Sequence, residues 1–322
     1  MTEVTANTTV PVVDVVDVII VTHNSVRDDI ERCLGSLMAH SRRYHYRITV
    51  VDNASADGTL AIISARFPSV NLLVCDHNAG FAKGNNLALQ QTNGQYVILL
   101  NPDTEVKENG LDNLVDFLIA HPEAGAAGPR LLNPDSSVQL TGNAFPSVRN
   151  LLFESLFLDR LFPRSRLFGD HKLSWWDRKV AARVDWVMGA CIALRREVGE
   201  KVGWFDETFF MYFEEIDLCR RILTAGYLVY YVPEAAVVHY GGVGVEAYSG
   251  QKVALWHQSL FCYFHKHHPE KKLLRLRLVI LVRSLLRVSL WLFLTFRYGR
   301  FAIAKALAYM KTLRFVFTGE SL

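Results

Sequence analysis

Residues 204–221 read Trp-Phe-Asp-Glu-Thr-Phe-Phe-Met-Tyr-Phe-Glu-Glu-Ile-Asp-Leu-Cys-Arg-Arg, with Asp206, Glu214, Glu215 and Asp217 interleaved among aromatic and aliphatic side chains. A surface helix separates its charges from its apolar residues by turn. This stretch does not. Its apolar run 209–213 delivers Glu214 and Glu215 straight out of a buried segment. Adjacent carboxylates at the edge of apolar packing repel each other and lose hydration, so one pKa rises toward neutrality. That is the property a general base for a hydroxyl group needs. The plainer reading of the same residues is an acidic helix N-terminus, favoured by the positive end of the dipole.

Other residues could act beside these carboxylates. Asp103 follows the apolar run 96–100 and Asn101-Pro102, which holds its carboxylate at a strand end. Hard cations such as Mg²⁺ or Mn²⁺ take oxygen ligands, often one or two carboxylates completed by phosphate and water. His239, after Ala236-Val237-Val238, is a second candidate ligand; taken alone, an imidazole there reads as a satisfied core histidine. Asp52 and Asn53 close the run 48–51, where a strand-end acid can bond a nucleotide base or ribose. Lys83 lies in a loop that opens a helix, within reach of phosphate. No Gly-x-Gly-x-x-Gly follows the first strand and there is no Walker lysine motif. Both absences weigh against a dinucleotide enzyme and a P-loop kinase.

These residues need a frame. The near-continuous β-branched run 15–22 predicts a strand buried on both faces of a parallel sheet. Further strands are expected at 48–51, 70–75 and 96–100. Helices are expected through Ile30, Leu34 and Leu37, then at 60–66, 80–91 and 111–120. This alternation implies βαβ units and a doubly wound sheet, with ligands outside the C-terminal strand ends. The polar clusters fall there: Thr22 and Asn24, Asp52 and Asn53, Asn78, and Asp103. One such cluster would be an ordinary Asx-rich turn, but four in register make a site. After Gly128-Pro129 the rhythm changes. Residues 131–143 read as a polar hairpin around Asn133-Pro134-Asp135-Ser136, and 150–180 as an irregular, acceptor-facing insertion. Strands are expected at 184–194, 227–232 and 236–239.

Composition narrows the classes. The 322 residues are half hydrophobic, enough to bury a large core, and the net charge of +3 is too small to argue for nucleic acid. The five cysteines are scattered without paired spacing and read as reduced thiols of a cytosolic protein. Residues 1–13 read as a flexible tail with no signal-peptide pattern. Residues 250–322 are rich in Leu, Phe and Arg. Arginines interrupt every apolar run there too early for a spanning helix, which needs about 20 apolar residues. At helical spacing Arg275, Arg283, Arg287, Arg297 and Arg300 fall on one side, the pattern of a helix lying in an anionic membrane interface. Packing of this helix on the protein, or pairing with a second copy as a homodimer, is the alternative.

The motifs Ile20-Val21-Thr22-His23-Asn24, Val51-Asp52-Asn53-Ala54-Ser55 and Asn78-Ala79-Gly80-Phe81-Ala82-Lys83-Gly84-Asn85-Asn86 come first in the chain. Leu100-Asn101-Pro102-Asp103, Phe210-Met211-Tyr212-Phe213-Glu214-Glu215-Ile216-Asp217-Leu218 and His239-Tyr240-Gly241-Gly242 follow in order. Together they resemble a family-2 glycosyltransferase of the GT-A fold, in the branch that includes bacterial rhamnosyltransferases. The resemblance implies an α/β GT-A domain over 14–249, with a nucleotide-sugar half at 14–128 and an acceptor and catalytic half at 129–249. A basic, membrane-associating helical region follows at 250–322. It implies that Thr22, Asn24, Asp52, Asn53, Asn78, Gly80, Lys83, Asn101 and Asp103 bind a nucleoside-diphosphate sugar. Asp103 and His239 would hold Mg²⁺ or Mn²⁺, and Glu215 would be the base, with Glu214 beside it and Asp217 orienting the acceptor. Two departures stand out: Asn101 replaces the first acid of the usual Asp-x-Asp, and Glu215 stands where many relatives have Asp. The implied activity is inverting transfer, with dTDP-rhamnose as the donor, to a glycan or polyprenyl-diphosphate-linked acceptor at the cytoplasmic face of the membrane. A UDP-sugar donor, or a catalytically silent scaffold of the same fold, is the competing reading.

Overall fold

The computed structural model describes residues 15–25, 27–241 and 249–318. The tail expected at 1–13 and the residue Gly242 lie outside them. The first half alternates as expected: β1 Val16–Thr22, α1 Arg27–His40, β2 Tyr46–Asp52, α2 Thr59–Arg66, β3 Asn71–Val74, α3 Phe81–Leu89 and β4 Tyr96–Leu100. Then come β5 Thr104–Val106, α4 Gly110–Ala120, β6 Ala124–Leu132, α5 Val148–Ser155, α6 Leu158–Leu161, β7 Ala182–Val184 and β8 Cys191–Arg195. The chain continues with α7 Arg196–Val202, α8 Glu214–Thr224, β9 Leu228–His239, α9 Ser249–His267, α10 Glu270–Phe293 and α11 Thr295–Thr318, the last broken at Gly299.

The strands form one sheet in the order β3-β2-β1-β4-β8-β6-β9-β5, with β7 also on β9. Side chains of β1 alternate between two cores. Ile19 and Val21 pack with α3, α8, α9 and α10, whereas Val16, Val18 and Ile20 pack with α1 and α4. Strands β1 to β4 are parallel as expected. Beyond β4 the sheet is mixed, because β8 runs antiparallel to both β4 and β6.

Two sequence expectations need correction, and one strand was not expected. The strand expected at 184–194 is two strands, because residues 185–190 leave the sheet and Asn143 N donates to Trp186 O (2.9 Å). The two strands expected at 227–232 and 236–239 are one, β9, carrying a register shift opposite Pro129 and Arg130. Strand β6, reading Ala-Gly-Ala-Ala-Gly-Pro-Arg-Leu-Leu, gave no β-branched signal. Its small residues let neighbours close in: a Cβ on Gly128 would stand 2.6 Å from Val187, and one on Gly125 2.8 Å from Ile222.

The C-terminal helices pack on the same core through Leu260, Tyr263, Phe264, Leu276, Val279 and Ile280. This packing divides the expected arginine stripe. Arg283 turns inward to Glu154 (3.8 Å) and over the Trp256 ring, and Arg287 covers Phe157 at 4.1 Å. The outer face of α10 and α11 mixes exposed apolar residues, Leu274, Leu278, Leu285, Phe293 and Phe296, with the exposed Arg275, Arg277, Arg297 and Arg300. No helix among the described residues is long and apolar enough to cross a membrane.

Candidate active site

The floor of the site is the level ending of β1 and β2, where Thr22 pairs with Asp52. Asp52 is fully buried. Its Oδ2 accepts the Ser55 N–H (2.9 Å), and its Oδ1 is buried with no hydrogen-bond partner, an acceptor left for a ligand N–H or hydroxyl. Thr22 and Asn24 shape the adjoining loops. Thr22 Oγ1 meets Ser25 Oγ at 2.5 Å, and Asn24, in the left-handed region at φ 48°, accepts the Ala56 N–H at 2.7 Å. Asn53 Nδ2 donates to Gly80 O (3.0 Å), tying the end of β2 to the loop before α3, while its Oδ1 is a second buried acceptor without a partner.

That loop is pinned to the acidic segment. Asn78 Oδ1 accepts the Gly80 N–H (3.0 Å), and Phe81 N–H donates to Phe210 O (2.8 Å). Gly80 has φ 86°, and a Cβ there would stand 2.5 Å from Phe210 O, so only glycine permits the approach. Lys83 is exposed on the first turn of α3, its ammonium free to reach an anion.

Asp103 sits between β4 and β5, and antiparallel pairing of Thr104 with His239 places the imidazole beside it. His239 Nε2 is 3.4 Å from Asp103 Oδ1, and Tyr240 N–H donates to Asp103 O (2.9 Å). No group of three or more His, Cys, Asp or Glu suited to a metal occurs among the described residues. One carboxylate and one imidazole nitrogen fit a hard divalent cation that draws its remaining ligands from phosphate and water.

The acidic stretch reaches the same place. Asn101 N–H donates to Ala190 O (2.9 Å), and the neighbouring Gly189 faces Glu215, whose Cγ would be 3.6 Å from a Cβ at that position. Glu215 is thus two contacts from the Asn101–Asp103 turn. Tyr212 and Phe213 both have φ 70°, a strained reversal that sets Glu214 and Glu215 in the first turn of α8. Burial raises the Glu215 carboxyl to about 6, against backbone N–H groups that favour its ionised form. Glu214 is also raised well above the ordinary carboxylate range, by burial first and by the charge of Glu215 second. Asp217 is taken up by basic side chains of α8 and α9. Fully buried, it bonds Arg221 Nε (2.8 Å), His267 Nε2 (2.7 Å) and Lys266 Nζ (2.9 Å), and so supports α8 from behind.

The sequence pattern that defines Glycosyl transferase family 2 matches residues 17–203. The chain belongs to this family. The transferase is 31% identical over 300 residues to the N-acetylglucosaminyl-diphospho-decaprenol L-rhamnosyltransferase of Mycobacterium tuberculosis H37Rv, covering 86% of this chain and 95% of that one. It is 26% identical to the rhamnosyltransferase WbbL of Escherichia coli K12 over 76% of this chain and 91% of the relative. Among solved structures, the mannosyltransferase PcManGT of Pyrobaculum calidifontis, in complex with GDP-Man and Mn²⁺, superposes with a TM-score of 0.53 at 19% identity. That match covers 94% of this chain and 81% of that one. The transferase therefore has the GT-A fold.

Sequence reasoning missed some supporting residues of the transferase. Gln139 holds the His239 ring, with Oε1 at 3.0 Å from Nδ1. Lys266 and His267 anchor Asp217 from α9. None belongs to a local motif, and contact with the site arises only when distant elements pack.

Proposed function

We propose that this protein is an inverting glycosyltransferase that moves L-rhamnose from dTDP-rhamnose to a hydroxyl of a glycan or polyprenyl-diphosphate-linked acceptor in surface polysaccharide synthesis. The observation that carries the chemistry is the shared neighbourhood of Glu215, Gly189, Ala190 and Asn101 beside Asp103 and His239. The named activities of the rhamnosyltransferase relatives support the choice of sugar and acceptor.

In this reading the acceptor hydroxyl attacks the anomeric carbon in line, and Glu215 removes its proton as the new bond forms, inverting the configuration. A carboxyl raised to about 6 is ionised at neutral pH yet basic enough to take that proton. The buried Oδ1 of Asp52 accepts from the base or ribose of the donor, and Lys83 meets the diphosphate. Asp103 and His239 would hold Mg²⁺ or Mn²⁺, which when bound neutralises charge gathering on the leaving diphosphate.

The transferase works, on this reading, as a peripheral protein at the cytoplasmic membrane face, where a polyprenyl-linked acceptor is held. Residues 271–318 contain 11 Lys and Arg and no acid. The exposed apolar side chains of α10 and α11, with Phe293 76% and Phe296 98% exposed, would enter the interface while the surrounding cations meet anionic lipid.

A thermal-shift panel of sugar nucleotides with and without Mn²⁺ tests the donor, because only a ligand of the folded state stabilises it by mass action. dTDP-rhamnose should raise Tm and support transfer to a polyprenyl-diphosphate-N-acetylglucosamine. A shift with a UDP-sugar alone would reassign the donor, and no shift or turnover with any sugar nucleotide would leave a silent scaffold.

A further inference from the structure

The polar hairpin at 133–139 is an unusual neighbour for a candidate cation site, because its hydrogen bonds can run in one direction only. The Asp135 carboxylate has no proton to give when ionised, and it accepts both the Ser137 Oγ–H (2.6 Å) and the Ser137 N–H (3.0 Å). The single hydroxyl proton of Ser137 is spent there, so its Oγ accepts from Asn133 Nδ2 (2.8 Å). Asn133 therefore turns its Oδ1 to Gln139 Nε2 (2.8 Å). The other proton of that amide goes to the backbone carbonyl of His239 (2.6 Å). A flipped Gln139 would press its oxygen against two acceptors, so Oε1 must be the atom 3.0 Å from His239 Nδ1.

An amide oxygen cannot donate, so Nδ1 carries the hydrogen. A neutral imidazole has one N–H, and Nε2 is left with its lone pair toward Asp103 Oδ1, 3.4 Å away. We propose that Gln139, aligned by Asn133, Asp135 and Ser137, is a positioning residue that selects the Nδ1–H tautomer of His239 and so presents Nε2 as a ready-made donor to a divalent cation shared with Asp103. This rests on the reading of Asp103 and His239 as the cation site. Outer partners that fix the tautomer of a ligating histidine typically change metal affinity by about 10–100-fold.

The test uses the full-length chain labelled with ¹⁵N-histidine, free of metal and sugar nucleotide, at alkaline pH. Two-bond ¹H–¹⁵N correlation, assigned with His239→Ala, should show His239 protonated at Nδ1. Mn²⁺ binding followed by electron paramagnetic resonance, with no donor present, should weaken about tenfold or more in Gln139→Met. Excess Mn²⁺ should restore kcat in that variant. A wild-type His239 protonated at Nε2 overturns the proposal without recourse to any variant, even if Gln139→Met does not fold. Unchanged Mn²⁺ affinity in Gln139→Met, with affinity lost in His239→Ala, overturns the role of Gln139 and leaves the cation site standing. Unchanged affinity in His239→Ala overturns both.

Discussion

Asp217 on α8 and His267 on α9 meet at 2.7 Å, and the same carboxylate oxygen takes Lys266 Nζ at 2.9 Å while the other takes Arg221 Nε at 2.8 Å. The C-terminal helices are thereby fastened to the helix whose first turn carries Glu214 and Glu215. Removing the anion would strand these basic groups against a buried position. Asp217→Ala should cost about 3–5 kcal/mol, the usual penalty for breaking a buried ion pair from one side. Denaturant unfolding checks this, and a loss below about 1 kcal/mol, the worth of an exposed pair, would show the network to be surface-like.

The two adjacent glutamates should titrate in a fixed order. Burial raises both carboxyls, Glu215 to about 6, and the charge of Glu215 raises Glu214 as well, so Glu215 is expected to ionise first. A base must be ionised to act, so transfer should rise with pH through an apparent value near 6 and then level. Glu215→Gln should lower kcat by about 10²–10⁴-fold while leaving Kd for the donor in place. Glu214→Gln removes the coupled neighbour and should retain the acidic limb carried by Glu215. A limb that moves downward in Glu214→Gln would mean that both groups are ionised together.

Much of the candidate site was legible because residue type and strand-end position carry information that packing does not alter. Asp52, Asp103 and His239 sit at the ends of runs buried in the sheet, and each end is where the alternation placed it. What was illegible depended on contacts remote in sequence. Sequence position suggests that Asp217 orients the acceptor, yet the arrival of α9 engages its carboxylate with Lys266 and His267. Strand β6 was hidden because glycine and alanine are chosen there for close approach and have no strand preference of their own. Helical spacing puts Arg283 in one basic stripe for an anionic membrane interface, but Glu154, in an insertion that shows no pattern, draws it inward.

Glu154 gives a measurable link between that insertion and α10. Burial alone would raise its carboxyl, but the His171 hydrogen bond and the charges of His171, Lys172 and Arg283 outweigh burial and hold it at about 2. The folded state thus favours the ionised form, and the stability gained is present above the unfolded value of 4.5 and lost as pH falls toward 2. A shift of this size corresponds to about 3 kcal/mol at neutral pH. Glu154→Gln should lower stability at pH 7 by up to that amount and flatten the acid-side loss between 4.5 and 2. Melting curves across that range decide it, and parallel profiles for the two proteins would remove Glu154 from the account.

The junction of α10 and α11 makes the attachment surface testable by parts. Phe293 and Phe296 are exposed at the turn between two helices, and Arg297 and Arg300 follow directly. Burying one large apolar side chain in an apolar phase contributes about 1.5–3 kcal/mol, and each arginine near an anionic surface about 1 kcal/mol. Phe293→Ser with Phe296→Ser should therefore weaken binding to phosphatidylglycerol-containing vesicles by about a hundredfold or more, with little dependence on salt. Arg297→Gln with Arg300→Gln should weaken it less, and only at low ionic strength, because charges beyond a Debye length are screened. Both variants change exposed side chains and should melt close to the parent. Vesicle flotation separates the outcomes: equal recovery of parent and Phe variant would assign these apolar residues to a second copy of the chain, and sedimentation would then show the dimer fall apart in the Phe variant.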